Sequence, residues 1–494
     1  MNTRVRTRYL ALAWLALVWA VANSVYVYIV LGGIRTFRVE SASFILVAVL
    51  LPLIFWRPSL GESRDVLSAT DNRLLILFAV TLWLLTLAPF LTLPFLSDDY
   101  VFLAAYRRWS DVLTAGHFFR PVFALAFFVL ARLGNGSPVP FHLVALLIHG
   151  TSACCVYVLS RRLFQRADCA ALCCVMVLLN PLQLEAVLWV SGLQELLWTL
   201  FVLAGLVVYT GSRLLTGPRL AATLVLIACA LLAKETAVSS VLLLPAADWA
   251  FFRWKRGGLL PAAYAGLGVV AATYLFARTW VTAIESGFFV TPGKYFAQKF
   301  IGTPYRFFVQ PWNLTAAHVP AFVLCGATVT ALAILFWAVV RGTGPTVLAG
   351  PALILITTLP VYAYFYVAPD LRATRYLYFP AIGWALLVTQ LLTTVLARRL
   401  ALTLACASGI MVLFGSLQLN IKPWRTAGSI VDDIAAAVRE GRSPEMSPAD
   451  WQMRYGDGLE SKDGIPTVYR GVYLFVNGYG ELRTMLTNPE SNGR

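Results

Sequence analysis

Long apolar stretches separated by short links rich in arginine and lysine recur along the chain from Tyr9 to Leu419. Runs of about 20 apolar residues match the thickness of a bilayer, where each backbone polar group must be satisfied within its own helix. The pattern predicts thirteen spans, at about 9–33, 41–56, 74–96, 139–160, 168–187, 190–210, 219–233, 236–252, 258–278, 318–340, 345–368, 376–397 and 400–419. The short pieces either side of Lys234-Glu235 also read as one bent element.

Charge placement gives these spans a direction. With Arg4, Arg6 and Arg8 inside, the later basic clusters fall on the same side: Arg57 to Arg73, Arg161-Arg162 with Arg166, Arg213 with Arg219, Arg253 to Arg256, Arg341, and Arg398-Arg399. This is the bias expected of cytoplasmic loops. The apolar run Pro121 to Leu133 is too short to span and ends at Gly134-Asn135-Gly136, so it reads as a juxtamembrane helix in the outer interface. The first span lacks a small-x-small cleavage site and reads as a retained anchor.

Beyond the last span the pattern changes. Gly428 to Glu440 has helical periodicity with a capping-box start at Ser429 to Asp432, Val468 to Asn477 alternates as a strand, and Asn477-Gly478 signals a turn. An odd number of spans places this tail outside.

Composition sharpens the class. Hydrophobic residues make up 59% of the chain and charged residues 13%, a ratio with no soluble surface to spare. From Ile421 onward nine Lys/Arg face ten Asp/Glu, so the net charge of +15 belongs to the membrane part as an orientation signal and makes no case for nucleic acid. The eight cysteines lie in or beside apolar runs and the four histidines lack metal-ligand spacing, so neither a disulfide frame nor a metal site is expected.

The residues assigned to the outer face form a chemical group: Asp98, Asp99, His117, Arg120, Glu185, Glu195, Lys234, Glu235, Lys294, Lys299, Arg306, His318, Arg372 and Arg375. Carboxylates opposite several cations suit transfer from a phosphorylated leaving group, in which a base activates a hydroxyl while Arg or Lys stabilises the phosphate oxygens. The outward Lys294, Lys299, Arg306, Arg372 and Arg375 run against the inside preference and suggest attraction of an anionic lipid or lipid-linked phosphate. Blander readings stand beside this one. Asp98-Asp99 is also the composition of a solvated loop or helix cap, and Lys234-Glu235, Glu185 and Glu195 are also the residues of structural ion pairs. Asn313-Leu314-Thr315 is an acceptor-type triplet of little specificity.

Five ordered blocks, all between residues 97 and 387, carry a family resemblance: SDDY at 97–100, FFRP at 118–121 with FHLVALLIH at 141–149, NPLQLEAVLWVSGLQELL at 180–197, LLAKETAVSSVLLLPAADW at 231–249, and RATRYLYFPAIGWALL at 372–387. In these the chain resembles the GT-C superfamily of membrane glycosyltransferases, in particular its protein O-mannosyltransferase-like and tetratricopeptide-associated transmembrane branches. It departs from them in placing two spans ahead of the acid-bearing loop and a small tail where a tetratricopeptide array would stand.

The resemblance implies an all-α polytopic membrane protein with about 13 transmembrane helices, outer-face juxtamembrane helices and a small extracytoplasmic α+β domain. Its parts would be residues 1–73, an extra pair of helices, 74–420, the catalytic membrane domain, and 421–494, the tail. It implies Asp98 as catalytic base with Asp99 beside it. Donor-binding residues would come from His117, Arg120, Glu185, Glu195, Lys234, Glu235, Lys299, Arg306, Arg375 and Tyr376. The expected reaction is inverting transfer of one sugar, mannose or another hexose or pentose, from a polyprenyl monophosphate to a hydroxyl of a protein, glycan or lipid. No cofactor is required, and with cations at hand a divalent metal is not needed. The expected setting is a bacterial inner membrane, with the N-terminus cytoplasmic. A transporter or flippase of a lipid-linked anion, an oligosaccharide ligase or polymerase, and an inactive structural protein are the other classes the same residues allow.

Overall fold

The computed structural model describes residues 69–114, 119–282, 333, 348–358, 360, 372–395 and 399–487. The expected spans at 9–33 and 41–56, and 318–340 apart from residue 333, lie outside these residues, as do His117, Lys294, Lys299, Arg306, His318 and the triplet at Asn313.

A helix that is apolar all round belongs in a core or a membrane rather than at an aqueous surface, and the chain is built mostly of such helices. They are α1 (Ala69–Leu87), α2 (Asp98–Ala105), α3 (Asp111–Thr114), α4 (Pro121–Gly134), α5 (Val139–Phe164), α6 (Ala167–Leu179), α7 (Leu184–Leu188), α8 (Leu193–Tyr209), α9 (Gly217–Ala233), α10 (Ser240–Phe252), α11 (Leu260–Thr282), α12 (Ala349–Thr358), α13 (Pro380–Val395) and α14 (Arg399–Arg439). Among the described residues, four helices are long and apolar enough to cross a membrane: Asn72–Phe90, Val139–Phe164, Val190–Tyr209 and Leu260–Val281. The pair Ala167–Leu179 and Pro181–Leu188, bent by 50°, makes a fifth if counted as one crossing.

The innermost stretch is this bent pair with the start of α8, where every residue from Asp168 to Thr199 is buried. The bend follows from local chemistry. Pro181 lacks an N–H and cannot continue α6, while the Asn180 side chain accepts from Leu182 N at 3.0 Å and starts a new turn. Gly192 is then required, since a Cβ there would stand 2.6 Å from the Ala186 carbonyl oxygen. Cys169, Cys173 and Cys174 are buried in the same core, with Cys173 Sγ 3.2 Å from Thr389 Oγ1.

Close helix contact also depends on glycine where α12 crosses α13. A Cβ on Gly350 would lie 2.6 Å from the Gly383 carbonyl oxygen, and one on Gly383 would lie 2.7 Å from that of Gly350. Both obstacles are backbone, so the helices must separate. Gly350→Ala is expected to cost about 1–3 kcal/mol, read as a lower unfolding midpoint in detergent.

The predicted elements near the C-terminus differ from those observed. The span at 400–419 and the helix at 428–440 are one helix, α14, so residue 421 lies within a helix and Ser429 is no cap. Its hydroxyl donates to Arg425 O at 3.3 Å within α14. Pro423 lies inside α14, where Leu417, Ile421, Trp424, Ala427, Val431, Ile434 and Val438 form one buried stripe that outweighs the bond lost at the proline. The expected strand at 468–477 is interrupted. Two short strands earlier in the chain, β1 (Leu214–Leu215) and β2 (Gly257–Gly258), pair in parallel. After α15 (Pro448–Tyr455), β3 (Leu459–Lys462), β4 (Ile465–Tyr469) and β5 (Val472–Tyr473) make an antiparallel sheet in that order, followed by α16 (Tyr479–Thr487). Arg470 and Gly471, both at positive φ, form the two-residue turn between β4 and β5.

Candidate functional site

The polar residues of the helices gather at the two ends of α8. At its C-terminal end Tyr209 and Tyr264 donate to the buried Asp248 at 2.5 and 2.6 Å, Arg256 pairs with the same carboxylate, and Arg162 donates to Val207 O and Thr210. At its N-terminal end, about 25 Å away at 1.5 Å per residue, stand Glu195 and, Arg372 excepted, the other described residues that the sequence assigns to the outer face.

Six of those residues form a ladder of three ion pairs. Arg120, fixed ahead of Pro121 at the start of α4, forks onto Glu235 with Nε–Oε2 2.7 Å and Nη2–Oε1 2.5 Å, and its Nη1 donates to Gln194 Oε1. Lys234, which follows α9, donates to Glu195, whose other oxygen accepts from Trp198 Nε1 at 2.6 Å. Arg375 donates to Glu185 through its guanidinium and, at 3.0 Å, through its backbone N–H. Tyr376 links the rungs: its ring lies 4.8 Å from Lys234 Nζ and 4.7 Å from the Arg375 guanidinium carbon. Lys234 and Glu235 are therefore neighbours in sequence that pair with different partners. Burial would push the Glu235 carboxyl up, but the Arg120 guanidinium holds it down at about 2.

Within the ladder the cations are not equally accessible. Side-chain exposure is 4% for Lys234, 8% for Arg120 and 14% for Arg375, so Arg375 is the one an anion reaches most readily. Its guanidinium also lies 4.6 Å from the Trp189 ring and 5.5 Å from that of Tyr473, an aromatic surround that suits a planar cation.

Trp189 joins the ladder to the acidic pair, since its indole N–H donates to Leu96 O at 3.0 Å. The two aspartates at the start of α2 differ sharply. Asp99 is fully buried and accepts from Leu96 N at 2.8 Å, Ser191 N at 2.7 Å and the Ser191 hydroxyl. It ties the loop to the α7–α8 turn. Burial pushes its carboxyl up to about 7, against the Ser191 and Leu96 hydrogen bonds that favour the ionised form. Asp98 is only half-buried, and its Oδ1 accepts from Asn477 Nδ2 at 2.7 Å. Ser97, just before it, sits at φ +45°, which is strained for a residue with a side chain.

The structure thus brings together Arg120, Glu185, Glu195, Lys234, Glu235, Arg375 and Tyr376, and ties Asp99 to their surroundings through Ser191, with Asp98 next to it in the chain and bonded to Asn477. Arg372 lies apart, paired on the surface with Glu460 at 2.6 Å. Among the described residues no three His, Cys, Asp or Glu side chains gather as a metal site.

No family model matches the chain, and no curated protein matches it. Among solved structures it is similar to the crystal structure of ArnT from Cupriavidus metallidurans bound to undecaprenyl phosphate. That similarity has a TM-score of 0.45 at 15% identity and covers 86% of this chain and 89% of that one. It is similar also to ArnT from the same organism in the apo state, with a TM-score of 0.38 at 16% identity over the same shares.

Sequence reasoning missed Trp189, Ser191, Gln194, Tyr473 and Asn477. The first three lie inside the block at 180–197 but carry no charge to draw notice. Asn477 carried only a turn signal.

Proposed function

We propose that the chain is an inverting glycosyltransferase that moves one sugar from a polyprenyl monophosphate to a hydroxyl acceptor at the extracytoplasmic face of the membrane. The observation that carries this reading is the division of labour in the acidic pair. Asp99 is consumed by three donors that hold the loop, whereas Asp98 is half-buried and accepts from the Asn477 amide, on a loop joined through Trp189 to the Arg375 end of the ladder.

In the proposed reaction the Asp98 carboxylate takes the proton of the acceptor hydroxyl as that oxygen attacks the anomeric carbon. The bond from that carbon to the phosphate oxygen breaks, and polyprenyl phosphate departs with the electron pair. Arg375, the most accessible cation of the ladder, stabilises the phosphate charge, while Arg120 and Lys234 hold the surrounding helices through Glu235 and Glu195. No metal is assigned a role. The acceptor is a protein, glycan or lipid, and the enclosing membrane is a bacterial inner membrane.

The bend at Asn180 is the feature that would favour a transporter, since broken helices form ion and substrate sites in that class. Here the Asn180 side-chain oxygen accepts from Leu182 N, and the charge carried by the second half of the pair, Glu185, is paired with Arg375.

The test is a transfer assay with the purified chain, membrane extract as acceptor, and undecaprenyl phosphate carrying radiolabelled mannose, glucose, galactose or arabinose, followed by mass measurement of the product. One added sugar is expected. A polymer or block transferred whole points to a ligase or polymerase, and movement of the labelled lipid across vesicles without transfer points to a transporter.

A further inference from the structure

The turn between β5 and α16 closes directly on the acid-bearing loop, from nearly 380 residues away in sequence. Ser97 N donates to Leu474 O at 2.6 Å, Asn477 N donates to Ser97 Oγ at 3.3 Å, and Asn477 Nδ2 donates to Asp98 Oδ1 at 2.7 Å. Phe475 stacks on Tyr100 with ring centres 6.0 Å apart, and Tyr473 packs on Trp189 at 5.5 Å. The approach is so close that a Cβ on Gly478, at φ +86°, would lie 2.2 Å from the Ser97 carbonyl oxygen.

These contacts fall on the one strained residue of the loop. A serine at positive φ costs about 1–3 kcal/mol unless its surroundings hold it there. Ser97 is held on its N–H by Leu474 and on its hydroxyl by Asn477. Asp98 follows at once, and its carboxylate receives the Asn477 amide. The charged groups nearby are Asp99 on the same helix, and Asp432 and Arg439 of α14, which act on the neighbouring Tyr100.

We propose that Asn477 is a positioning residue for Asp98, and that the turn Leu474–Gly478 completes the site by holding Ser97 in its strained conformation and aiming the carboxylate. This rests on the reading of Asp98 as the transferase base. An amide in this place orients a carboxylate without adding charge to the site, so the base stays available to the acceptor proton.

The experiment uses the full chain and the donor and acceptor pair that gives transfer with wild type. Asn477→Ala is expected to lower kcat about tenfold with the donor KM within about twofold, because orientation is lost and binding is not. Asn477→Asp sets a second carboxylate against Asp98 and is expected to move the acid limb of the pH–rate profile up by about one unit. Asn477→Gln keeps the donor and is expected to recover part of the lost rate. A structural role alone would lower the thermal midpoint of all three variants but leave the pH profile of the remaining activity in place. Gly478→Ala, which forces the turn off Ser97, provides a second route and is expected to reduce kcat and the hydrogen-exchange protection of the Ser97 amide together.

Wild-type kcat and an unmoved pH profile in Asn477→Ala and Asn477→Asp overturn the inference and leave the transferase reading intact. A wild-type chain that transfers no sugar, or an Asp98→Asn variant with full activity, overturns both.

Discussion

Asp98→Asn is expected to fold as wild type and to transfer sugar at least about a hundredfold more slowly, whereas Asp99→Asn is expected to lose stability. The two substitutions are chemically identical and one residue apart, so the difference between them comes from their partners. Asp98 accepts a bond from the Asn477 amide, and an asparagine at 98 still offers a carbonyl oxygen for it. It cannot take a proton from a hydroxyl. Asp99 has donors on both oxygens, Leu96 N on one and Ser191 N and Oγ on the other. An amide at 99 must turn its NH2 toward one of those sides, so an N–H faces an N–H in a fully buried site. Leaving such groups unsatisfied costs about 1–3 kcal/mol. Thermal unfolding in detergent and initial transfer rates, measured on both variants, separate the two roles. Normal turnover in Asp98→Asn would remove it from the mechanism, and a stable but inactive Asp99→Asn would move the base role there.

That contrast also marks how far the sequence could be read. Periodicity and length were enough for α1, α5, α8 and α11, because an apolar run near 20 residues has few alternatives, whereas α9, α10 and α13 were legible as helices but are shorter than a crossing needs. The short helix from Pro121 and its end at Gly134-Asn135 were legible for a local reason too. Charged residues lying in otherwise apolar surroundings were conspicuous, so most of the ladder was found. Their pairing was not, since Lys234 with Glu195 and Arg120 with Glu235 depend on which helix ends meet. Asp98 and Asp99 could not be told apart either, because the distinction lies in Ser191 and Asn477, which are ordinary polar residues far along the chain. At the C-terminus the expectation of a span ending at 419 and a separate capped helix from 428 failed, because the buried stripe through Ile421, Trp424 and Ile434 runs through both. Tertiary burial decided that element.

Arg120→Met is expected to cost about 3–5 kcal/mol, the loss typical when one member of a buried ion pair is removed and the other is left without compensation. Glu235 is the member left behind. In the wild-type fold its carboxyl is held down at about 2, below its ordinary 4.5, so the pair contributes stability above about pH 4.5 and loses it as the pH falls towards 2. With Arg120 gone the sign reverses. Burial is then the dominant influence and raises the folded value above the unfolded one, so the variant gains stability as the pH falls and a proton neutralises Glu235. The gap in unfolding midpoint between wild type and Arg120→Met should therefore narrow from pH 7 to pH 4.5. Replacing both partners, as Arg120→Met with Glu235→Leu, removes the stranded charge and should return most of the lost stability. A double variant no more stable than Arg120→Met, or a gap that widens on acidification, would mean that Arg120 supports the helix ends mainly through Gln194 and its packing rather than through Glu235.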